Sequence, residues 1–131
     1  MGDCIFCKIV RGEIPCYKIY EDNSFLVFLD TFPALKGQTL IVPKKHSTDY
    51  LFDLEDQNYN ELLLVAKKIA KVIDKSLNPL KTGLIVEGLE VNHVHVKLFP
   101  LEKEGFKLKP MNPKPSDKEF KEIAEKIKSA L

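Results

Sequence analysis

The alternation of apolar and polar residues predicts β-strands in the first part of the chain. Residues 25–29 and 39–42 are short runs of aromatic, aliphatic and β-branched residues, which is typical of buried strands. Residues 19–20 lead into a polar turn at residues 21–23, so we expect them to form an antiparallel hairpin with residues 25–29. The pattern therefore predicts that neighbouring strands form before the middle of the chain.

Two more β-like runs lie in the second half of the chain. Residues 82–86 and 91–100 are rich in β-branched and aliphatic residues, and the short connection 87–90 predicts that they pair as antiparallel strands. With the earlier strands they predict a mainly antiparallel sheet of about five strands.

Two helices are predicted from apolar residues that recur at every third or fourth position. Residues 56–77 show this spacing, and Asn78-Pro79 ends the predicted helix. Residues 105–115 contain three prolines and predict an extended arm. Ser116 and Glu119 then predict a capping box that begins a terminal helix of about 15 residues. One face of this helix carries Phe120, Ile123, Ala124 and Ile127. The fold class is therefore α+β.

The composition fits one globular domain, residues 1–131, with 44% hydrophobic and 30% charged residues. A chain of this length buries about two thirds of its unfolded surface, so its core needs neither disulfides nor a metal ion. The net charge of +1 provides no electrostatic basis for binding nucleic acid or an anionic membrane. Because no apolar run approaches the roughly 20 residues of a membrane span and no targeting segment is evident, we expect a cytoplasmic protein.

Histidines and cysteines are scarce, and two histidines occur in one alternating segment. In residues 92–100, a period of two places His93, His95 and Lys97 on one face of the predicted strand. A solvated polar face of an antiparallel sheet has the same alternation, so the pattern alone does not identify a site.

The cysteines suggest a metal site. Cys4-x-x-Cys7 and two distant histidines are the ligands that a tetrahedral zinc site needs, although a Cys-x-x-Cys pair also fits a redox site or chance. A redox pair normally follows a βαβ pattern, which is missing here. The number of cysteines is odd, and we expect Cys16 to remain a free thiol.

Several segments together resemble one known family. The run from His93 to Pro100 resembles the signature of the histidine triad (HIT) family, in which histidines alternate with apolar residues. Residues 4–10, 12–15, 28–30 and 37–46 resemble the same family in order and spacing. The resemblance extends to about residue 100 and leaves residues 101–131 as a variable arm and helix. It implies an α+β fold with a five-stranded antiparallel sheet. It also implies a homodimer that binds purine nucleotides and acts as a hydrolase or transferase at their α-phosphate.

The resemblance implies that His95 is the catalytic nucleophile, because it matches the central histidine of the signature. A neutral imidazole can attack phosphorus and form a nucleotidyl-histidine that water then hydrolyses. The Lys97 cation would disfavour protonation of His95 and attract phosphate oxygens. The alternative is a structural histidine whose tautomer is fixed by a backbone carbonyl.

The resemblance also implies a zinc site and a nucleotide pocket. Many bacterial members hold zinc at the positions of Cys4, Cys7, His46 and His93, and four protein ligands would make this zinc structural. Asp30 matches the acidic residue that binds both ribose hydroxyls, although a turn residue before Pro33 would have the same identity. The positions of the apolar base slot are Phe6, Ile9, Ile14 and Phe28, each of which could equally be plain core.

Three departures from the family pattern lie near the expected pocket. Lys97 replaces the third histidine, and Gln38 replaces a histidine in the Gly-x-Thr-Leu stretch. The loop 87–90 is short and has Leu89 where the family has glutamine. We expect Gln38 and Lys97 to contribute to nucleotide binding. These departures leave two hypotheses open, a nucleotide-processing enzyme and a zinc-stapled nucleotide-binding module with little turnover.

Overall fold

The computed structural model describes residues 4–131, which form three α-helices and five strands. The strands are β1 (Lys18–Glu21), β2 (Phe25–Leu29), β3 (Thr39–Pro43), β4 (Lys81–Ile85) and β5 (Val96–Leu101). The helices are α1 (Ile5–Val10), α2 (Asp56–Leu77) and α3 (Asp117–Lys128), and a single 3₁₀ turn covers Leu51–Asp53. All strand pairs are antiparallel and follow the order β1-β2-β3-β5-β4, which confirms the predicted α+β fold and five-stranded sheet.

Apolar residues cover both faces of the central strands, which is why β2 and β3 read as continuous apolar runs. Val27 and Ile41 face α2, where they pack with Leu62 in the larger core cluster. On the opposite face, residues of the same two strands pack against Phe6 of α1. The sheet therefore lies between the long helix and the N-terminal segment.

The prediction for α2 is confirmed at both ends. Its inner face buries Leu62, Ala66, Ile69 and Ile73. The helix stops at Asn78, which adopts a left-handed conformation with φ of 51°, a conformation that asparagine tolerates better than most residues. Pro79 follows and cannot continue the helix.

The predicted strand over residues 91–100 is too long at its beginning. Strand β5 starts at Val96, and residues 86–95 form a loop, so the β4–β5 connection is longer than the predicted residues 87–90. The reason lies in the backbone hydrogen bonds, because Val94 N–H donates to Thr48 and not to β4. Gly88, with φ of +75°, passes so close to the Asp49 carbonyl that any side chain there would collide with it.

The two shorter helices differ in how well the sequence predicts them. No apolar period marks α1, because six residues are too few to show one. The capping box of Ser116 and Glu119 is confirmed, but α3 has 12 residues, fewer than the predicted 15 or so. Its apolar face is not buried, and Phe120 and Ile127 are 51% and 63% exposed. The amphipathic pattern thus predicts the helix but not a packing partner for it.

Among residues 4–131, no helix has both the length and the apolar character that a membrane crossing requires.

Candidate active site and metal centre

Four sulfur- and nitrogen-bearing side chains converge between α1 and the ends of β3 and the 86–95 loop. They are Cys4, Cys7, His46 and His93, and their ligand atoms all lie within 4.8 Å of one another. Cys4 Sγ is 3.4 Å from His93 Nδ1, and Cys7 Sγ is 3.2 Å from His46 Nδ1. Helix α1 brings the two cysteines together, since Cys4 caps the helix and its sulfur accepts the Cys7 N–H at 3.5 Å.

The geometry of this cluster fits a tetrahedral metal ion. With metal–sulfur and metal–nitrogen bonds of about 2.3 and 2.1 Å, tetrahedral ligand atoms lie about 3.6 Å apart. Besides the two distances above, Cys7 Sγ lies 3.6 Å from His93 Nδ1. His93 Nε2 donates to the Pro43 carbonyl at 2.8 Å, which leaves a lone pair on Nδ1, facing the sulfurs. The cluster can therefore hold a metal ion.

Burial shapes the electrostatics of the cluster. Burial raises the pKa of the Cys7 thiol, and the neighbouring Cys4 sulfur raises it further. Burial also lowers the pKa of His93. A bound cation supplies the positive charge that stabilises thiolates at such a buried position.

A cavity of about 430 Å³ opens next to the cluster on the α1 face of the sheet. All eight residues predicted for catalysis or nucleotide binding border it, namely Phe6, Ile9, Ile14, Phe28, Asp30, Gln38, His95 and Lys97. Its volume lies in the range of about 300 to 1,000 Å³ that is usual for small-molecule pockets. Its wall combines apolar residues with polar and charged ones, so it can enclose a ligand that has both an apolar ring and an anionic group.

His95 is almost fully buried at the wall of this cavity, with 3% of its surface exposed. Its Nδ1 donates to the carbonyl of His93 at 2.8 Å, so Nε2 carries the lone pair. The ring of Phe6 packs edge-on against the imidazole, with the centroids 4.8 Å apart. The arrangement fixes both the orientation and the tautomer of the ring.

The charges around His95 favour its neutral form on balance. Burial is the main cause that lowers the pKa of His95, and the Lys97 cation lowers it further. The hydrogen bond to His93 and the carboxylates of Asp30 and Glu90 act in the opposite direction. A neutral imidazole with a free Nε2 can act as a nucleophile.

The predicted alternation of His93, Val94 and His95 survives, although these residues precede the strand. Val94 and Val96 belong to the core cluster under α2, whereas His93 and His95 contact Phe6 on the other face. Lys97 lies within β5, opposite Leu40 of β3. The interpretation of this face as solvated is wrong, because both histidines are buried.

Asp30 follows β2 and serves as a turn residue while also bordering the cavity. One carboxylate oxygen accepts the Phe32 N–H at 2.9 Å, and the other accepts from Gln38 Nε2 at 2.8 Å. The turn interpretation and the pocket interpretation are thus compatible.

Several residues that border the cavity have no predicted role in the site. Cys16 and Phe32 contribute to its wall, and no pattern in the sequence marks either of them. Glu90 also borders the cavity. Its position directly before the signature is the feature of the sequence that indicates a place near the phosphate site. A second cavity of about 420 Å³, bordered by Lys44, Lys45 and Ser47, has no histidine or cysteine in its wall.

The five-stranded antiparallel sheet and the buried histidine of fixed tautomer beside the cavity agree with the class of histidine triad proteins. Residues 11–104 match the HIT domain model, and the chain belongs to the HIT family.

Individual relatives match along nearly the whole chain. The chain is 36% identical to adenosine 5′-monophosphoramidase hnt1 of Schizosaccharomyces pombe, and the match covers 98% of each protein. It is 37% identical to an uncharacterised HIT-like protein of Borreliella burgdorferi, over 97% of each. The crystal structure of SMU.412c from Streptococcus mutans superimposes with a TM-score of 0.83 at 33% identity, covering 99% of this chain and 86% of that one.

Proposed function

We propose that this HIT-family protein is a purine nucleotide hydrolase or nucleotidyl transferase that acts at the α-phosphate. The observation that carries this proposal is the hydrogen bond from His95 Nδ1 to the His93 carbonyl, which leaves Nε2 unprotonated at the cavity wall. The Schizosaccharomyces pombe relative is an adenosine 5′-monophosphoramidase, which supports a nucleotide hydrolase activity.

The proposed reaction has two displacements at phosphorus. In the first, the lone pair of His95 Nε2 forms a bond to the α-phosphorus, and the bond to the leaving group breaks with its electron pair. A leaving amine takes up a proton from solvent. The imidazole becomes cationic, and the His93 carbonyl that faces Nδ1–H stabilises this charge. In the second, water attacks phosphorus and releases a proton to solvent, and the P–N bond breaks with its electron pair returning to Nε2, so that neutral His95 is restored. Another acceptor in place of water gives transfer.

Lys97 is proposed to bind phosphate oxygens in this reaction. It borders the same cavity as His95 and is a cation where the family pattern has a histidine. A fixed cation stabilises the negative oxygens of the phosphate through charge-assisted hydrogen bonds.

The nucleoside is proposed to occupy the apolar part of the cavity. The base would lie among four apolar residues that border the cavity next to His95, namely Phe6, Ile9, Ile14 and Phe28. Asp30 would accept hydrogen bonds from the two ribose hydroxyls, a role that suits the two oxygens of a carboxylate. Gln38 supports this subsite from the cavity wall.

Zinc is the metal that we propose for the cluster, since two thiolates and two imidazoles in tetrahedral positions are its preferred ligands. With Cys4, Cys7, His46 and His93 all bound, no position is left for substrate, so the metal would be structural. A reducing, cytoplasmic location is proposed with it, because such a compartment keeps the Cys4 and Cys7 ligands reduced.

A homodimer is proposed from the open edge of β4. This strand lies at the end of the sheet. The side chain of Leu84 within it is 45% exposed, and those of Leu80 before it and Val72 on α2 are 65% and 48% exposed. A hydrogen bond of 2.7 Å from Thr82 to Asp74 ties β4 to α2, so both elements can form one face. Pairing with a second copy would cover these apolar side chains and the unpaired backbone groups of the edge.

The second candidate function is a zinc-stapled nucleotide-binding module with little turnover. Glu90 favours it, because a carboxylate near His95 opposes the approach of an anionic phosphate. Lys97 also favours the binding module, since it replaces a histidine that could exchange a proton near neutral pH.

Turnover of adenosine phosphoramidate and of diadenosine tetraphosphate by the wild type and by His95→Ala tests the enzyme. We expect the variant to lose at least about 1,000-fold in kcat, as enzymes do without their nucleophile. Equal rates for the two proteins would overturn the proposal. Rapid quench followed by mass spectrometry should detect an acid-labile nucleotidyl adduct on wild-type His95. Slow wild-type turnover without an adduct, but with nucleotide binding, would favour the binding module.

A further inference from the structure

Gln38 is a buried amide with every polar atom of its side chain engaged. It is 4% exposed, although it borders the cavity. Its Oε1 accepts the N–H of Ala34 at 2.8 Å and that of Leu35 at 3.4 Å. Its Nε2 donates to Asp30 Oδ2 at 2.8 Å. The partners determine the orientation of the amide, because the reversed amide would face donors with a donor and an acceptor with an acceptor.

These bonds tie Gln38, at the end of the loop 30–38, to the beginning and the middle of that loop. The backbone repeats the connection, since Asp30 N–H donates to the Gln38 carbonyl at 3.0 Å and Gln38 N–H donates to the Leu35 carbonyl at 3.0 Å. The loop therefore closes on Gln38, and the side chain bridges the loop backbone and the Asp30 carboxylate.

The Asp30 carboxylate is held from two sides. Phe32 N–H binds one of its oxygens and Gln38 Nε2 binds the other. Each carboxylate oxygen accepts about two hydrogen bonds, so one acceptor position on each remains for a ligand. An amide donates to the carboxylate without adding a positive charge, so it orients Asp30 without forming a competing ion pair.

We infer that Gln38 is a positioning residue that acts through Asp30 and sets how strongly the cavity prefers nucleotides with both ribose hydroxyls. This inference rests on the proposed function, in which Asp30 binds those hydroxyls. It also changes the expected role of Gln38, whose Oε1 binds the loop backbone and whose Nε2 binds the Asp30 carboxylate, from a direct nucleotide contact to the support of Asp30. The ligand class selected in this way is a ribonucleoside monophosphate over a nucleotide whose sugar lacks hydroxyls.

The test measures the dissociation constants of AMP and of 2′,3′-dideoxy-AMP by isothermal titration calorimetry. We expect the wild type to bind AMP at least about tenfold more tightly, as hydrogen bonds to a charged group allow. Gln38→Met has a side chain of similar length that keeps none of the three hydrogen bonds. It should reduce this preference by about threefold or more, while the affinity for dideoxy-AMP stays within about twofold.

Gln38→Glu separates the two ends of the side chain. It keeps an acceptor for the loop N–H groups but replaces the Nε2 donor that faces Asp30 with a carboxylate oxygen. The preference for AMP should fall in this variant as well. Gln57→Met is the matched control, because Gln57 makes a similar amide-to-carboxylate bond to Glu61 on the exposed face of α2. It should leave the preference unchanged.

Asp30→Asn distinguishes failure of the inference from failure of the proposed function. If Asp30→Asn leaves the preference for AMP intact, the proposed ribose role of Asp30 is wrong. If Asp30→Asn abolishes the preference but Gln38→Met and Gln38→Glu do not change it, the inference about Gln38 is wrong. If Gln38 served folding alone, its variants would lose affinity for AMP and for dideoxy-AMP by the same factor. In the double variant Asp30→Asn/Gln38→Met, the second substitution should have no further effect on the preference, because Gln38 acts through Asp30.

Discussion

His93 links the metal cluster to the catalytic candidate, because its carbonyl accepts the Nδ1–H of His95 at 2.8 Å while its own imidazole lies among the cysteines. The side chain of His93 is fixed on both nitrogens, by the Pro43 carbonyl at Nε2 and by the cluster at Nδ1. A metal that holds the His93 ring also holds the backbone to which His95 is hydrogen-bonded. The metal cluster and the site of His95 are therefore structurally coupled through His93.

The first prediction concerns the metal content. Purified protein should contain about one zinc per chain by elemental analysis, and Cys4→Ser should lose it, because serine is a poor ligand for zinc. A metal present at about 1,000 times its Kd contributes about 4 kcal/mol to the free energy of unfolding. The Tm of the variant should accordingly be lower by roughly 10 °C or more.

Cys16→Ser is the control for the metal prediction, since this thiol lies outside the cluster. It should keep its zinc. A native preparation that folds normally without any metal would contradict the zinc assignment.

The sequence predicts α2 and the start of α3 well because each has its own local signal. Residues 56–77 have a helical period over several turns, and Ser116 with Glu119 forms a cap that depends only on neighbouring residues. The start of β5 has no such signal. Residues 91–95 have the composition of a strand, but their backbone pairs with residue 48 and the His93 side chain joins the cysteines. Contacts between distant segments decided that boundary.

The residues of the candidate site could be predicted from the sequence, but the hydrogen bonds between them could not. The family resemblance pointed to His95 and Asp30, which match motif positions, and to Gln38, which replaces a histidine at one. It could not show that Gln38 binds the Asp30 carboxylate, because that contact joins the two ends of a loop and depends on how the loop closes. For α3, the sequence predicts an amphipathic helix but cannot show whether another element packs on its apolar face, which is exposed in the structure.

Substitution of Lys97 tests its proposed contact with phosphate. Lys97→Met should lower kcat/KM for adenosine phosphoramidate by about 10- to 100-fold, because a charge-assisted hydrogen bond to a phosphate oxygen is lost. Lys97→Arg keeps the charge and should retain most of the activity. The Kd of adenosine, which has no phosphate, should be the same for all three proteins. A parallel loss of adenosine binding in Lys97→Met would indicate a disturbed pocket and contradict a specific phosphate contact.

Glu21 should make the stability of the fold depend on pH in the acid range. Lys18 and Lys44 lie 2.8 and 2.7 Å from its carboxylate oxygens and lower the pKa of Glu21 from 4.5 to about 2. Because the pKa is lower in the folded state, the ion pairs stabilise the fold above pH 4.5 and lose this effect as the pH falls towards 2. Wild-type Tm should exceed that of Glu21→Gln at pH 6, and the difference should shrink between pH 4.5 and 2. A difference that stays constant over this range would contradict the assignment.

The open edge of β4 should make the protein a dimer of about twice the chain mass of 15.0 kDa. Leu84 is 45% exposed on this edge strand, and Leu84→Lys would place a charge in the proposed interface. We expect the variant to scatter light as a monomer, whereas the wild type scatters as a dimer. Ile19→Lys is the matched control, because Ile19 is 43% exposed on β1 at the opposite edge of the same sheet. If Ile19→Lys separates the dimer and Leu84→Lys does not, the interface lies at β1. A wild-type protein that is monomeric at high concentration would exclude the proposed dimer, and the exposed side chains of Leu80, Leu84 and Val72 would then remain in contact with water.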